Sequence, residues 1–219
     1  MQKRYLLKII ILITITVDHI GLFLFPQLAV LRIIGRITFP IVAFQAAEGY
    51  KYTKNLKRYY LRLALFAGIS QIPYSIYFGL RLNPIFTVLF GLTAIILWHK
   101  NTLCKILALA LCVAGVAIPV SYGAYGIFMV FIFDAFSHLP TFRTVMVFLA
   151  LNYVFYIKPD DSSGIPVQVF SVLALPFIYL IPDKEKGDIH IPKIFTGRLF
   201  YYIYYPAHIT LLILISKFR

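Results

Sequence analysis

KIIILITITVDHIGLFLF, running from Lys8 to Phe25, is the stretch whose reading decides the fold. Its length and apolar content match a bilayer-crossing helix, which needs about 20 mostly apolar residues. Two ionisable groups, Asp18 and His19, interrupt its second half. Such groups are costly inside hydrocarbon unless paired or wetted, so they face a bundle interior or a cavity. Lys8 and His19 are about three helical turns apart, which returns them to nearly one face with an axial rise of ~16 Å. With Lys8 at the membrane surface, His19 falls near the midplane of a ~30 Å core. Neighbouring helical positions point ~100° apart, so Asp18 need not bond His19 and is free to meet an arginine from another segment.

The rest of the chain has the same character. The 219 residues are 61% hydrophobic and 13% charged, with a mean hydropathy of +0.85. A soluble domain carries about 45–50% apolar and ~25% charged residues, so the composition is that of an integral membrane protein. No polar stretch is long enough to fold as a separate soluble domain, and residues 1–219 read as one membrane domain. The first apolar run is too long for a signal-peptide core, and no small-residue cleavage site follows it. The net charge of +13 is spread over span ends. It fits flanks that set topology and touch anionic lipid, not a nucleic-acid surface. Cys104 and Cys112 have no metal or redox spacing and read as packing residues.

Apolar runs bounded by charges, Pro or Gly predict an all-α polytopic bundle. The spans fall near 8–26, 37–50, 60–79, 84–99, 103–120, 123–138, 142–157, 165–181 and 195–216. This gives about nine crossings (roughly eight to ten), several short enough to be tilted, broken or re-entrant. With the N-terminus in the cytoplasm, the outer side keeps Arg32, Arg36, Arg81, Lys158, Lys217 and Arg219. The other basic residues, among them Lys184, Lys186, Lys193 and Arg198, fall inside. No inverted repeat is evident.

Four clusters break the apolar pattern. Asp18, His19 and Gly21 form the first; a histidine near the midplane suits a general base, because its ordinary pKa lies near neutrality. LRIIGRITFP is the second. Arg32 and Arg36 share a helical face there, Gly35 permits close approach, and Pro40 is expected to kink or weaken the following helix. The two guanidiniums suit a carboxylate, a phosphate or Asp18, or else anchor the chain at the interface. The third pairs Gln45 with Glu48, just before the basic loop KYTKNLKRYY. Glu48 reads as a partner for Lys51 or Arg62, and the loop as a lipid contact or a grip for an anionic cytosolic ligand.

The fourth cluster is the last span, where Tyr201, Tyr204, Tyr205 and His208 form a stripe around Pro206. Such a stripe reads first as an interfacial belt, although a buried His208 would need a polar partner. SQIPYS and RLNPIFT, with Gln71, Arg81, Asn83 and Thr87, read as helix breaks whose polar groups line the same cavity. Asp134, His99, His138 and His190 stand as isolated groups in runs, loops or span ends. No Gly-rich phosphate loop, nucleophile elbow or metal-ligand spacing is present.

These motifs occur in a particular order: KIIxLITxTxDHIG, LRIIGRITFPIxAFxxAEGYKYTxN, RLxLFAxISQIPY, NxxFTxLxGL and YxxYYPAH. In that order the chain resembles the TraX family of bacterial membrane proteins, from Lys8 to His208 and most densely from Asp18 to Tyr52. The eponymous member acetylates F-pilin, and the family looks like a short branch of the transmembrane acyltransferases. In that superfamily a basic residue, ten positions and a histidine mark the first helix, the spacing held here by Lys8 and His19. The resemblance implies a protein of the bacterial cytoplasmic membrane that transfers an acyl group. The donor would be acetyl-CoA, a co-substrate rather than a bound cofactor. The acceptor would be an amine or hydroxyl on a pilin or a cell-envelope component.

On this reading His19 and Asp18 form the catalytic set. Lys8, Arg32, Arg36, Gln45, Glu48, Arg62, Asn83 and His208 serve donor or substrate, and the phosphates of acetyl-CoA lie near the basic loop. Arg36 or a polar helix break would stabilise the oxyanion. No metal is called for. The rival reading is a small-solute transporter or flippase that uses the buried charges as a coupling relay.

Overall fold

The computed structural model describes residues 2–136, 141–156, 166–182 and 198–218, without the side chains of Gln2, Arg198, Leu199 and Tyr201. Lys158, Lys184, Lys186, Lys193, His138, His190 and Arg219 lie outside the described residues, as do the margins of several expected spans.

Among the described residues the fold is all-α, apart from one isolated parallel bridge between Leu82 and Val120. In chain order the helices are α1 (Gln2–Phe23), α2 (Ala29–Gly35), α3 (Thr38–Tyr52), α4 (Leu56–Phe78) and α5 (Pro84–Trp98). Then come α6 (Thr102–Ala114), α7 (Gly123–Ala135), α8 (Thr141–Phe155), a 3-10 helix (Val167–Leu173), α9 (Ala174–Tyr179) and α10 (Arg198–Lys217). Each expected apolar run contains a helix. Lys3–Phe23 and Ala29–Tyr52 are long and apolar enough to cross a membrane; α5 to α8 are apolar but shorter.

The departures from expectation have local causes. Ala29–Tyr52 is broken by a turn at Arg36 and Ile37 into α2 and α3. Pro40 lies in the first turn of α3, where its missing N–H would have had no helical partner, so it causes no break. SQIPYS is not a break either, since α4 continues through Pro73 to Phe78. The run expected at 103–120 stops being helical at Ala114, and its tail pairs with Leu82 through Val120.

The chain forms two compact units, Met1–Val42 with Lys158–Arg219, and Ala43–Ile157. In the first, α1 packs on α2 and on α10, and α2 packs on the 3-10 helix. The close approach of α1 to α2 depends on two glycines. A Cβ on Gly21 would meet Leu31 Cβ at 2.7 Å, and one on Gly35 would overlap the Asp18 carboxylate.

In the second unit α7 is buried all round from Ala124 to Asp134, as expected of a central helix that is apolar on every face. It packs on α5, α6 and α8. Three of the helices start at asparagines whose side chains accept a backbone N–H: Asn55 for α4, Asn83 for α5 and Asn101 for α6. The outer face of α4 carries Leu61, Leu65, Ile69, Ile72 and Ile76, all exposed at helical spacing. Apolar stripes of this size are unusual on a surface meant for water.

Gly91 sets the spacing of α5 and α7, because a Cβ there would run into the side chain of Val130. Gly91→Ala is expected to destabilise the protein by about 1–3 kcal/mol through overpacking. The measurement is the melting midpoint in detergent, and adding Val130→Ala should recover part of the loss.

Candidate functional site

The site in the first unit grows from two faces of α1. Thr14 and Asp18 occupy one and Thr16 and His19 the other. On the first face the Thr14 hydroxyl bonds that of Thr38 at 2.7 Å. Asp18 Oδ2 pairs with Arg32 Nη1 at 3.0 Å and Oδ1 with Arg36 Nη2 at 2.9 Å. Arg32 Nη1 also reaches the Asp18 carbonyl at 3.1 Å. The two arginines meet one carboxylate because they lie four positions apart at the end of α2, and because Gly35 leaves room for it. Arg36 has a second role: Nη1 donates to Gln168 Oε1, on the 3-10 helix, at 3.0 Å.

On the second face the Thr16 hydroxyl bonds the Tyr204 hydroxyl, and His19 Nδ1 lies 2.7 Å from His208 Nε2. The two imidazoles stack at 4.9 Å, with Tyr204 stacked on His208 at 4.8 Å. Phe23 and Tyr205 flank His19 at centroid distances of 5.9 and 6.3 Å. Asp18, His19 and His208 are all buried.

The proton order in this pair follows from its last acceptor. His208 Nδ1 lies 2.7 Å from the Tyr204 carbonyl oxygen, which can only accept, so Nδ1 carries the hydrogen. With both rings neutral, His208 Nε2 is then the acceptor and His19 Nδ1 the donor. The remaining lone pair is left on His19 Nε2. Chemically the arrangement is a buried base whose tautomer is held by a second imidazole, beside a carboxylate paired with two guanidiniums.

Of the expected site residues, the first unit brings together Asp18, His19, Arg32, Arg36 and His208. Lys8 lies nearer the start of α1, its Nζ 5.3 Å from the Tyr5 ring centroid. Asp18 engages α2 and His19 engages α10, so the two expected catalytic residues serve different neighbours. Tyr204 faces α1 rather than an interfacial belt, which corrects that expectation for this residue, and the buried His208 has the polar partner expected of it.

The second unit holds the other expected residues. Glu48 takes Lys51 Nζ at 3.4 Å, a partly exposed pair of small energetic weight. Gln45 precedes Glu48 by one turn of α3, and Arg62 lies over the Tyr59 ring at 5.9 Å. Asn83 is fully buried, and its contacts are internal. Oδ1 caps Ile85 N at 2.9 Å, while Nδ2 donates to the Ala67 carbonyl at 2.8 Å and to Gln71 Oε1 at 3.0 Å. These bonds knot α4 to α5. Asp134 and His99 are not isolated, since His99 Nε2 meets Asp134 Oδ2 at 2.7 Å while Tyr50 stacks on the His99 ring at 5.5 Å. This ties the ends of α3, α5 and α7 together beside exposed Lys51, Lys54, Lys57, Arg58, Lys100 and Lys105.

Gln168 is the site residue that the sequence reading passed over. Its one signal is that it is a lone amide in the apolar run IPVQVFSVL. Among the described residues no cluster of three or more His, Cys, Asp or Glu could hold a metal ion.

Fold and site together define an all-helical protein with membrane-length apolar helices and a buried pair of histidines. The chain belongs to the TraX family, whose model, described as TraX protein, matches residues 3–216. It is similar to the probable fimbrial assembly protein FimC, serogroup H1, of Dichelobacter nodosus, at 24% identity over 96% of this chain and 94% of that protein. It is also similar to an uncharacterized protein of Rickettsia prowazekii (strain Madrid E), at 34% identity over 53% of this chain and 46% of that one. No solved structure matches.

Removing the charge on Asp18 leaves two guanidiniums facing each other without an anion. Asp18→Asn is expected to cost about 3 kcal/mol, the lower end for breaking a buried pair, since Arg32 keeps some exposure. Thermal melting checks this, with Arg36→Gln added to the same chain expected to return part of the lost stability.

Proposed function

We propose that this protein is a polytopic membrane acyltransferase that moves an acetyl group from cytosolic acetyl-CoA to an amine or hydroxyl, with His19 as general base. The observation that carries the reading is the bonding order of the histidine pair, which leaves the His19 Nε2 lone pair as the basic atom of a buried site. His19 takes the proton from the attacking nucleophile and returns it to the leaving thiolate. His208 holds His19 in the reactive tautomer. The Asp18–Arg32–Arg36 cluster fixes α1 against α2 and carries one net positive charge, favourable to the oxyanion that develops next to it.

Membership of the TraX family and the name of the Dichelobacter relative, a fimbrial assembly protein, favour an acceptor on a pilus or fimbrial subunit over other envelope components. The apolar outer faces fit lipid contact, and the excess of basic residues around Lys3–Lys8 and Lys51–Arg62 fits an N-terminus in the bacterial cytoplasm. The same excess gives the second unit a surface suited to the phosphates of acetyl-CoA.

Three outcomes follow for purified protein in vesicles supplied with labelled acetyl-CoA and an amine-bearing pilin peptide. His19→Ala should lower transfer by about 10²–10⁴-fold while the protein still inserts. Full activity in that variant would remove His19 from the mechanism. His208→Gln, which retains an acceptor for His19 Nδ1–H, should keep more activity than His208→Phe. Replacing Lys54, Lys57 and Arg58 together by Gln should raise KM for acetyl-CoA and make it less sensitive to salt, as titration over ionic strength would read.

A further inference from the structure

Gln168 is buried, with 7% of its surface exposed, and its side-chain Nε2 has no hydrogen-bond partner among the described residues. The orientation of this amide is not free. Arg36 Nη1 donates to it at 3.0 Å, and a guanidinium cannot accept, so the oxygen faces Arg36 and the NH2 group faces away. The other buried side-chain amides among the described residues are treated differently. Asn83 spends both ends on Ala67, Gln71 and Ile85, and Asn152 accepts from Tyr125 Oη while donating to the Phe148 carbonyl. A buried donor left without an acceptor destabilises the fold, so one held in place by an arginine has a use for its free N–H. The same guanidinium binds Asp18, the residue preceding His19, so the donor is tied to the helix that carries the base.

The geometry points to the Gln168 amide as the group that binds the carbonyl oxygen of the acyl donor, a thioester. The inference rests on the acyl-transfer reading. As the amine or hydroxyl attacks, the new C–N or C–O bond forms, the carbonyl π pair moves onto oxygen, and the nucleophile's proton passes to His19 Nε2. Gln168 Nε2–H donates to that oxygen. On collapse the carbonyl re-forms, the C–S bond breaks, and the thiolate takes the proton from His19.

Gln168→Glu is the informative substitution, because it keeps an oxygen for Arg36 and replaces the donor by a second acceptor, the added negative charge facing the Arg36 guanidinium. It should lower kcat by about 10²–10³-fold, with little change in the melting midpoint or in KM. A kcat within threefold (roughly) of wild type, with His19→Ala inactive, overturns the role of Gln168 and leaves the acyltransferase standing. A second measurement does not need turnover. In His19→Ala protein, carbonyl-¹³C-labelled acetyl-CoA should show an infrared carbonyl band lowered from its position in solution, and the added Gln168→Glu change should abolish the lowering. An unmoved band in the first protein, or the same band in both, overturns the inference. Failure of the acyl-transfer reading itself would appear separately, as no transfer of label from acetyl-CoA by the wild-type protein.

Discussion

A carboxylate placed in an apolar helix must find cations or unfold the helix that carries it, and much of the first unit can be read as the answer to that demand. Asp18 takes both Arg32 and Arg36, and the consequences spread along the chain. The arginines share one helical face at the end of α2, and the turn at Arg36 and Ile37 follows directly after them. The carboxylate can lie against α2 only where a side chain is missing, and Gly35 occupies that position. Arg36 then has a hydrogen left for Gln168, which draws the 3-10 helix in as well. Ion pairs of this kind return little net stability for their desolvation. Their value here lies in geometry, since they set one face of α1 and so leave the other face oriented towards α10.

That division of labour depends on helical phase. Thr14 and Asp18 are four positions apart, Thr16 and His19 three, and the two pairs are offset enough to look at different neighbours. Moving either polar residue by one position would turn it into the wrong interface or towards lipid. The threonines add a second constraint: Thr16 bonds α10, the helix that His19 also engages, and Thr14 bonds Thr38 at the start of α3, just beyond the arginines that hold Asp18.

The sequence made the first face readable and the second only half so. The ~100° step between Asp18 and His19 forbade the obvious pairing and sent Asp18 to the nearest basic face, four residues wide, which Arg32 and Arg36 supply. The asparagines that cap α4, α5 and α6 (Asn55, Asn83 and Asn101) go unread as helix starts, and the sequence reading assigns Asn83 to the cavity instead. The His19–His208 contact joins residues at opposite ends of the chain, and no local spacing encodes it. The pairing of His99 with Asp134 escaped for the same reason. Pro73 misled in a different way. A proline ends a helix in water because the freed carbonyl and the ring clash are costly, yet an apolar helix packed among others can absorb both. Gln168 lacked any pattern at all, because a single amide in an apolar run is legible only through what it fails to bond.

The two histidine sites of the chain use different partners, and the difference follows from solvation. His99 is half exposed at the end of α5 and takes a buried carboxylate, Asp134, so that water reaches the ring side of the pair. His19 is buried, and a carboxylate at its Nδ1 would bring another charge into surroundings already occupied by Asp18 and two arginines. A second imidazole gives the same control of the tautomer while adding no charge at rest. The cost is a weaker pull on the proton, and the Tyr204 carbonyl offsets it by holding His208 as a donor at one nitrogen and therefore an acceptor at the other. A neutral relay of this kind suits a base that must work in a water-poor interior, where each added charge would have to be matched by another.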